Sequence, residues 1–144
     1  MKHFFNEEEK LAILTSIKEA EKKTSGEIRV HVEARCKKNL MARAVEVFKK
    51  LNIHQTKLQN GVLFYIAVKN QAFAIIGDKG INDLVPSNFW EEAKKIMENR
   101  FKENKFKEGI CEAITLVGNQ LGLFFPKLTD DKNELSDDLS FSIS

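Results

Sequence analysis

Cross-linking, export and membrane insertion all find little support in this sequence. Only two of its 144 residues are cysteine, Cys36 and Cys111, so a disulfide-built scaffold is excluded, and the expected state of both is a reduced thiol packed as a small hydrophobe. No apolar run approaches the ~18 residues a spanning helix needs; the longest, residues 62–68, has the length of a strand. The opening MKHFFNEEEK reaches its acids too soon to hold the apolar stretch of a secretory leader, which points to the cytoplasm. Three scattered histidines, His3, His31 and His54, make no zinc site. There is no glycine-rich phosphate loop and no serine in a nucleophile elbow. Lysines interleave with glutamates on helix faces, so neither nucleic acid nor membrane is an expected partner.

What is present is a single domain's worth of chain, with 42% apolar and 31% charged residues. The net charge of +2 is unevenly spread. Residues 129–144 hold five acids against one lysine, a net −4, which leaves +6 on residues 1–128. That division sets the expected organisation: an α/β domain over residues 1–128 and an acidic segment over 129–144.

Residues 60–83 are the organising stretch. The run 62–68 shows no alternation, as expected of a central strand covered on both faces. Lys69-Asn70-Gln71 is short enough for a hairpin into a second strand, residues 72–77. Upstream, Asn6 with Glu9 forms a capping-box pattern for a first helix with Leu11, Ile13, Leu14, Ile17 and Ala20 inward. Residues 27–35 alternate: Ile28, Val30 and Val32 on one face, Arg29, His31 and Glu33 on the other, which predicts a strand with one wet face and a solvated His31. Asn39 caps a second helix with Met41, Ala44, Val45, Phe48 and Leu51 inward, completing a βαβ unit. Asn88 with Glu91 repeats the cap pattern before a stripe that includes Phe89, Trp90, Ala93, Met97 and Phe101, and the single tryptophan reads as core. The last helix, from residue 108 to about 125, turns Ile110, Ala113, Ile114, Val117, Leu121 and Phe124 inward, with Gly118 and Gly122 allowing close approach to the sheet; Pro126 ends it. Leu139, Phe141 and Ile143 then alternate with serines, so residues 139–143 are expected to add an edge strand. The predicted architecture is a three-layer α/β/α sandwich around a small mixed sheet of three to four strands.

The spacing Cys36-x6-Arg43 is one residue too long for a phosphocysteine loop, whose amides and arginine must ring one phosphate. The positive candidate is oxygen chemistry. Calcium takes six to eight oxygens from carboxylates, amides and carbonyls. The loop after the second strand of the hairpin offers Asp78, Asn82 and Asp83, and its glycines, Gly77 and Gly80, allow turns that point carbonyls inward. The tail offers Asp130, Asp131, Asn133, Glu134, Asp137 and Asp138. Asp131-Lys132-Asn133 starts like an EF-hand, but Leu135 and Ser136 occupy a ligand and the glycine position, so it is not one. A hydrated acidic loop balanced by the basic body is the competing reading.

Three phrases carry a resemblance: Thr24-Ser25-Gly26-Glu27-Ile28-Arg29-Val30, then Asn60-Gly61-Val62-Leu63-Phe64-Tyr65-Ile66-Ala67, then Gly77-Asp78-Lys79-Gly80-Ile81-Asn82. Together they resemble the TPM domain family, which includes thylakoid lumen proteins of photosystem II repair, over roughly residues 5–125. The resemblance implies an α/β/α sandwich with divalent metals, usually calcium, holding loops at one end of the sheet. It places the metal loop at Gly77–Asp83, with Asp78 the best position. It also implies an enzymatic alternative, because some plant relatives are described as acid phosphatases. The tail acids have no aligned counterpart in the family. The segment that usually precedes the first helix is short here, and the tail is expected to replace its strand and carboxylates. The leading expectation is a metal-responsive binding module for calcium, or magnesium, with a protein partner. The metal set is Asp78, Gly80, Asn82, Asp83, Asp130, Asp131, Glu134, Asp137 and Asp138. The alternatives are a metal-dependent phosphatase and a metal-free scaffold recognised through Arg29, His31 and Glu33.

Overall fold

The computed structural model describes residues 4–127 and the strand Ser140–Ser142. Helix α1 (Glu7–Glu21) starts at the expected capping box: Asn6 Oδ1 accepts from the Glu9 amide at 2.8 Å, and Glu9 Oε1 accepts from the Asn6 amide at 3.0 Å. Strand β1 (Glu27–Glu33) leads through α2 (Leu40–Lys50) to β2 (Gly61–Ala67), parallel to β1 from Glu27↔Gly61 to Glu33↔Ala67. A 3-10 turn, Val68–Asn70, with Gln71 at φ 50°, reverses the chain into β3 (Ala72–Gly77), antiparallel to β2. One helical turn, α3 (Lys79–Asn82), precedes α4 (Glu91–Lys102) and α5 (Phe106–Phe124). The last described strand, β4 (Ser140–Ser142), pairs in parallel with His31–Glu33, giving the order β3-β2-β1-β4. The expected fourth strand therefore exists. Its flanking positions 139 and 143 lie outside the described residues.

The two faces of the sheet are covered unequally. Ile28, Val30, Val32, Val62, Phe64 and Ile66 pack with α1, α4 and α5 into the larger core. Leu63, Tyr65, Ala67 and Ala74 meet α2 and the turn Ile53–Gln55, through Ala44, Val47, Phe48 and Ile53. No second helix among the described residues packs on that face; Met41 and Val45, expected inward, are exposed, and Val47 takes their place. On α1, in the other layer, Leu11 is exposed, and the buried stripe is Ile13, Ile17 and Ala20.

Other expectations need correction. Asn88 does not cap α4; its carbonyl accepts from the Glu91 amide at 3.1 Å in a turn, and the helix begins at Glu91. Gly118 and Gly122 admit α1 rather than the sheet. A Cβ at Gly118 would lie 2.6 Å from that of Ala20, and one at Gly122 would lie 2.6 Å from the Lys23 carbonyl oxygen.

The largest correction concerns β1. Every one of its residues is buried, including Glu27, Arg29, His31 and Glu33. The face predicted to be wet is closed, so a scaffold read through Arg29, His31 and Glu33 has no surface to offer. Alternation of polar and apolar side chains is the same whether the polar ones meet water or meet partners, and here partners win.

Candidate functional site

The turn after β3 is built by backbone first. The Asp78 amide donates to the Gly61 carbonyl at 2.9 Å, clamping the end of β3 onto the start of β2. Asp78 then caps α3, with Oδ1 accepting from the Lys79 amide at 2.8 Å. Asn82 Nδ2 reaches back to the Gly77 carbonyl at 2.8 Å. The expected open loop is thus a helical turn. No described glycine takes a positive φ, so Gly77 and Gly80 serve to make room. A Cβ at Gly77 would meet the Trp90 ring at 2.5 Å; one at Gly80 would meet the Gln59 carbonyl oxygen at 2.6 Å and the Leu58 carbonyl oxygen closer still.

Four of the nine predicted ligands, Asp78, Gly80, Asn82 and Asp83, stand on this one turn or at its ends. Asp78 Oδ2 is buried and has no hydrogen-bond partner among the described residues. An ionised carboxylate oxygen withdrawn from water without a donor is costly, and a cation is one group that would satisfy it. Asn82 and Asp83 are exposed. Among the described residues no three His, Cys, Asp or Glu side chains converge as a metal cluster. Asp130, Asp131, Glu134, Asp137 and Asp138 lie outside the described residues. The residues that bracket them are placed: Pro126 bridges Thr24, just before β1, and Ser140 pairs with His31 near its far end.

A second group, unforeseen from the sequence, forms where β1 and β2 end. Glu33, 2% exposed, accepts from Arg43 Nε at 3.1 and 3.2 Å through its two oxygens, from Arg43 Nη2 and from the Tyr65 hydroxyl. His31 Nε2 lies 3.2 Å from Glu33 Oε1. Burial and then the bond to Glu33 push the Tyr65 hydroxyl well above the ordinary tyrosine range, so it stays a donor. The amide of Cys36, just beyond β1, donates to Asn70 Oδ1 at 2.9 Å. The carboxylate is saturated with donors, which makes this group a clasp joining β1, β2 and α2. The available signal was architectural: a charge on a strand between helical layers needs a partner, and the helix following that strand carries Arg43.

Burial lowers the His31 pKa from its usual 6.5, against the opposing pull of Glu33, while Arg43 and Arg29 add to the lowering. The sign follows from proton uptake. As pH falls below 6.5, the unfolded chain takes a proton at this position before the folded chain does, so stability falls. Denaturant midpoints at pH 7.5 and 5.5 should show this loss, and His31→Gln should reduce it. An unchanged pH difference in the variant would remove His31 as its source.

The family model described as TPM domain matches residues 1–120 of this chain. The chain belongs to the TPM domain family. The BA42 protein of the psychrophilic bacterium Bizionia argentinensis, solved by NMR, is similar at 44% identity and TM-score 0.92, over 96% of each chain. The N-terminal domain of cg2496 from Corynebacterium glutamicum shares the fold, with TM-score 0.66 and 8% identity over 95% of this chain and 80% of that one. No functionally curated protein matches. The TPM domain here is a small α/β/α unit, and no helix among its described residues is long and apolar enough to cross a membrane.

Proposed function

We propose that this TPM domain binds a divalent cation, of the calcium type, at the turn after β3 and acts as a metal-responsive binding module. The observation that carries the reading is Asp78 Oδ2, buried and without a donor among the described residues. Asp78 would supply the first carboxylate, with Asn82 and Asp83 on the same turn. The remaining oxygens would come from Asp130, Asp131, Glu134, Asp137 and Asp138, with Asp130 and Asp131 nearest in sequence to the Pro126 anchor. Hard oxygen donors without thiol or imidazole favour calcium or magnesium over zinc. The bound ion would supply positive charge that draws acidic segments together, and the changed surface would be read by a protein partner. Cys36 and Cys111 are both free thiols, which suits the proposed cytoplasmic setting.

Asp78→Asn is the informative variant, because asparagine caps a helix about as well as aspartate and the turn should survive. Calorimetric titration of the chelator-treated chain should show calcium affinity falling about tenfold or more in the variant, a loss of roughly 1.4 kcal/mol. Equal affinities would exclude Asp78 as a ligand. Turnover of a generic aryl phosphate with and without calcium or magnesium separates the binding module from the hydrolase alternative. The binding reading expects none with either ion.

A further inference from the structure

We propose that the outer edge of β3 is a self-association site: two copies of this chain pair β3 against β3, antiparallel about a two-fold axis, and join their sheets into one. This does not depend on the metal reading.

The backbone of β3 is the first observation. Among the described residues β3 is the last strand on its side of the sheet. The Asp78 amide donates to the Gly61 carbonyl, and along an antiparallel ladder residues alternate between facing the partner strand and facing away. Ala72, Ala74 and Ile76 therefore turn their amides and carbonyls to β2, opposite Ala67, Tyr65 and Leu63. Phe73, Ile75 and Gly77 turn theirs outward. The Gly77 carbonyl accepts from Asn82 Nδ2. Among the described residues Phe73 and Ile75 have no backbone partner on that side. Free edge groups are a template for another strand.

The second observation is what β3 lacks. Ala72 to Gly77 include no charge and no proline, two of the devices that keep a strand edge single.

The α2 layer supplies the third. Arg43 reaches across to Glu33 on β1. Met41 and Val45 each stand two residues from Arg43, just over half a helical turn, so they point away from β1. In the order β3-β2-β1, away from β1 is toward the β3 edge. Both side chains are exposed. Ala74 and Ile76 pack in the cluster beneath the same helix. Free backbone groups are thus flanked by open apolar side chains.

These features select a second copy as the occupant. A two-fold axis at Ala74 places Phe73 opposite Ile75 of the second copy, and Ile75 opposite its Phe73. Each then donates once and accepts once across the junction, and the Gly77 carbonyl keeps its bond to Asn82. Ala74 meets its own copy at the axis, in a non-hydrogen-bonded pair where side chains come closest and a methyl group fits. No like charges are opposed along the ladder. The Met41 and Val45 flanks of both copies come to the same face of the joined sheet, where they cover each other. The contact is isologous and uses each β3 edge once, so it closes at two copies.

The test uses the full chain. Sedimentation equilibrium should show a dimer at submillimolar concentration that dissociates on dilution. Hydrogen exchange locates the contact. The amides of Ala74 and Ile76 bond within the sheet and should be protected at every concentration, whereas those of Phe73 and Ile75 should be protected only where the dimer forms. Val45→Lys, at an exposed position, should keep the fold and raise the dissociation constant about tenfold or more, because it sets two like charges against each other. If the variant loses its fold, the concentration dependence in the parent chain decides alone. A chain that stays monomeric at millimolar concentration would overturn the proposal. So would a dimer whose Phe73 and Ile75 amides exchange as fast as in the monomer, or a folded Val45→Lys variant that dimerises as the parent does.

Discussion

Arg43→Ala is expected to cost about 3–5 kcal/mol of unfolding free energy, the range for removing one partner of a buried ion pair. The Glu33 side chain is 2% exposed and that of Arg43 is 23% exposed, so the loss falls on the member that cannot reach water. Tyr65 and His31 would remain, but neither brings a fixed positive charge to a carboxylate held between a sheet and a helix. Against a typical domain stability of about 5–15 kcal/mol, such a loss is large. Urea unfolding measures it. Removing both charges should hurt less than removing one: Glu33→Gln combined with Arg43→Met leaves no uncompensated ion, and the double variant should be more stable than Arg43→Ala. A single variant within about 0.5 kcal/mol of the parent would mean that water reaches Glu33 and that β1 is not closed on this face.

Gly80→Ala is the second large effect, and its sign is the informative part. On helix propensity alone, alanine should stabilise the turn by about 1 kcal/mol. The added methyl would lie 2.6 Å from the Gln59 carbonyl oxygen and closer to that of Leu58, both of them backbone atoms that cannot rotate aside. Overpacking of this kind costs about 1–3 kcal/mol, so the substitution should destabilise. It should also move α3 and with it Asp78, shifting the amide signals of residues 78–83. An alanine variant more stable than the parent would show that the turn does not rest against residues 58 and 59.

The sheet was legible because its signals are local. An unbroken apolar run marked β2 as buried, three residues between runs marked the β2–β3 reversal, and period-two serines marked β4. The helices were legible in kind, less so in facing. Met41 and Val45 fit a helical stripe as well as Val47 does; which of them is covered depends on what packs beside α2, and among the described residues no second helix does. The wet face assigned to β1 failed for a related reason. Arg29, His31 and Glu33 alternate as solvent-facing residues do, and the arginine that holds Glu33 stands ten residues on, in another layer.

The turn after β3 was legible as a place and less so as a shape. Gly77, Asp78 and Gly80 suggested a loop opened by flexible glycines. The structure uses the glycines for close contact with Trp90 and with residues 58 and 59, and uses Asp78 to cap a helical turn. Both readings leave one carboxylate oxygen over. In the sequence it was one acid among many; in the fold it is buried, and that gives Asp78 its weight in the proposal.

The measurement closest to the central claim is a calcium titration of the chelator-treated full chain, with magnesium as control, followed residue by residue through amide signals. A cation held between the turn and the acidic segment should move signals of residues 77–83 together with some of residues 130–138, in one saturable step, and leave those of the Glu33 clasp in place. No shift in residues 77–83 at millimolar calcium would contradict the metal-responsive reading and leave Asp78 as a helix cap.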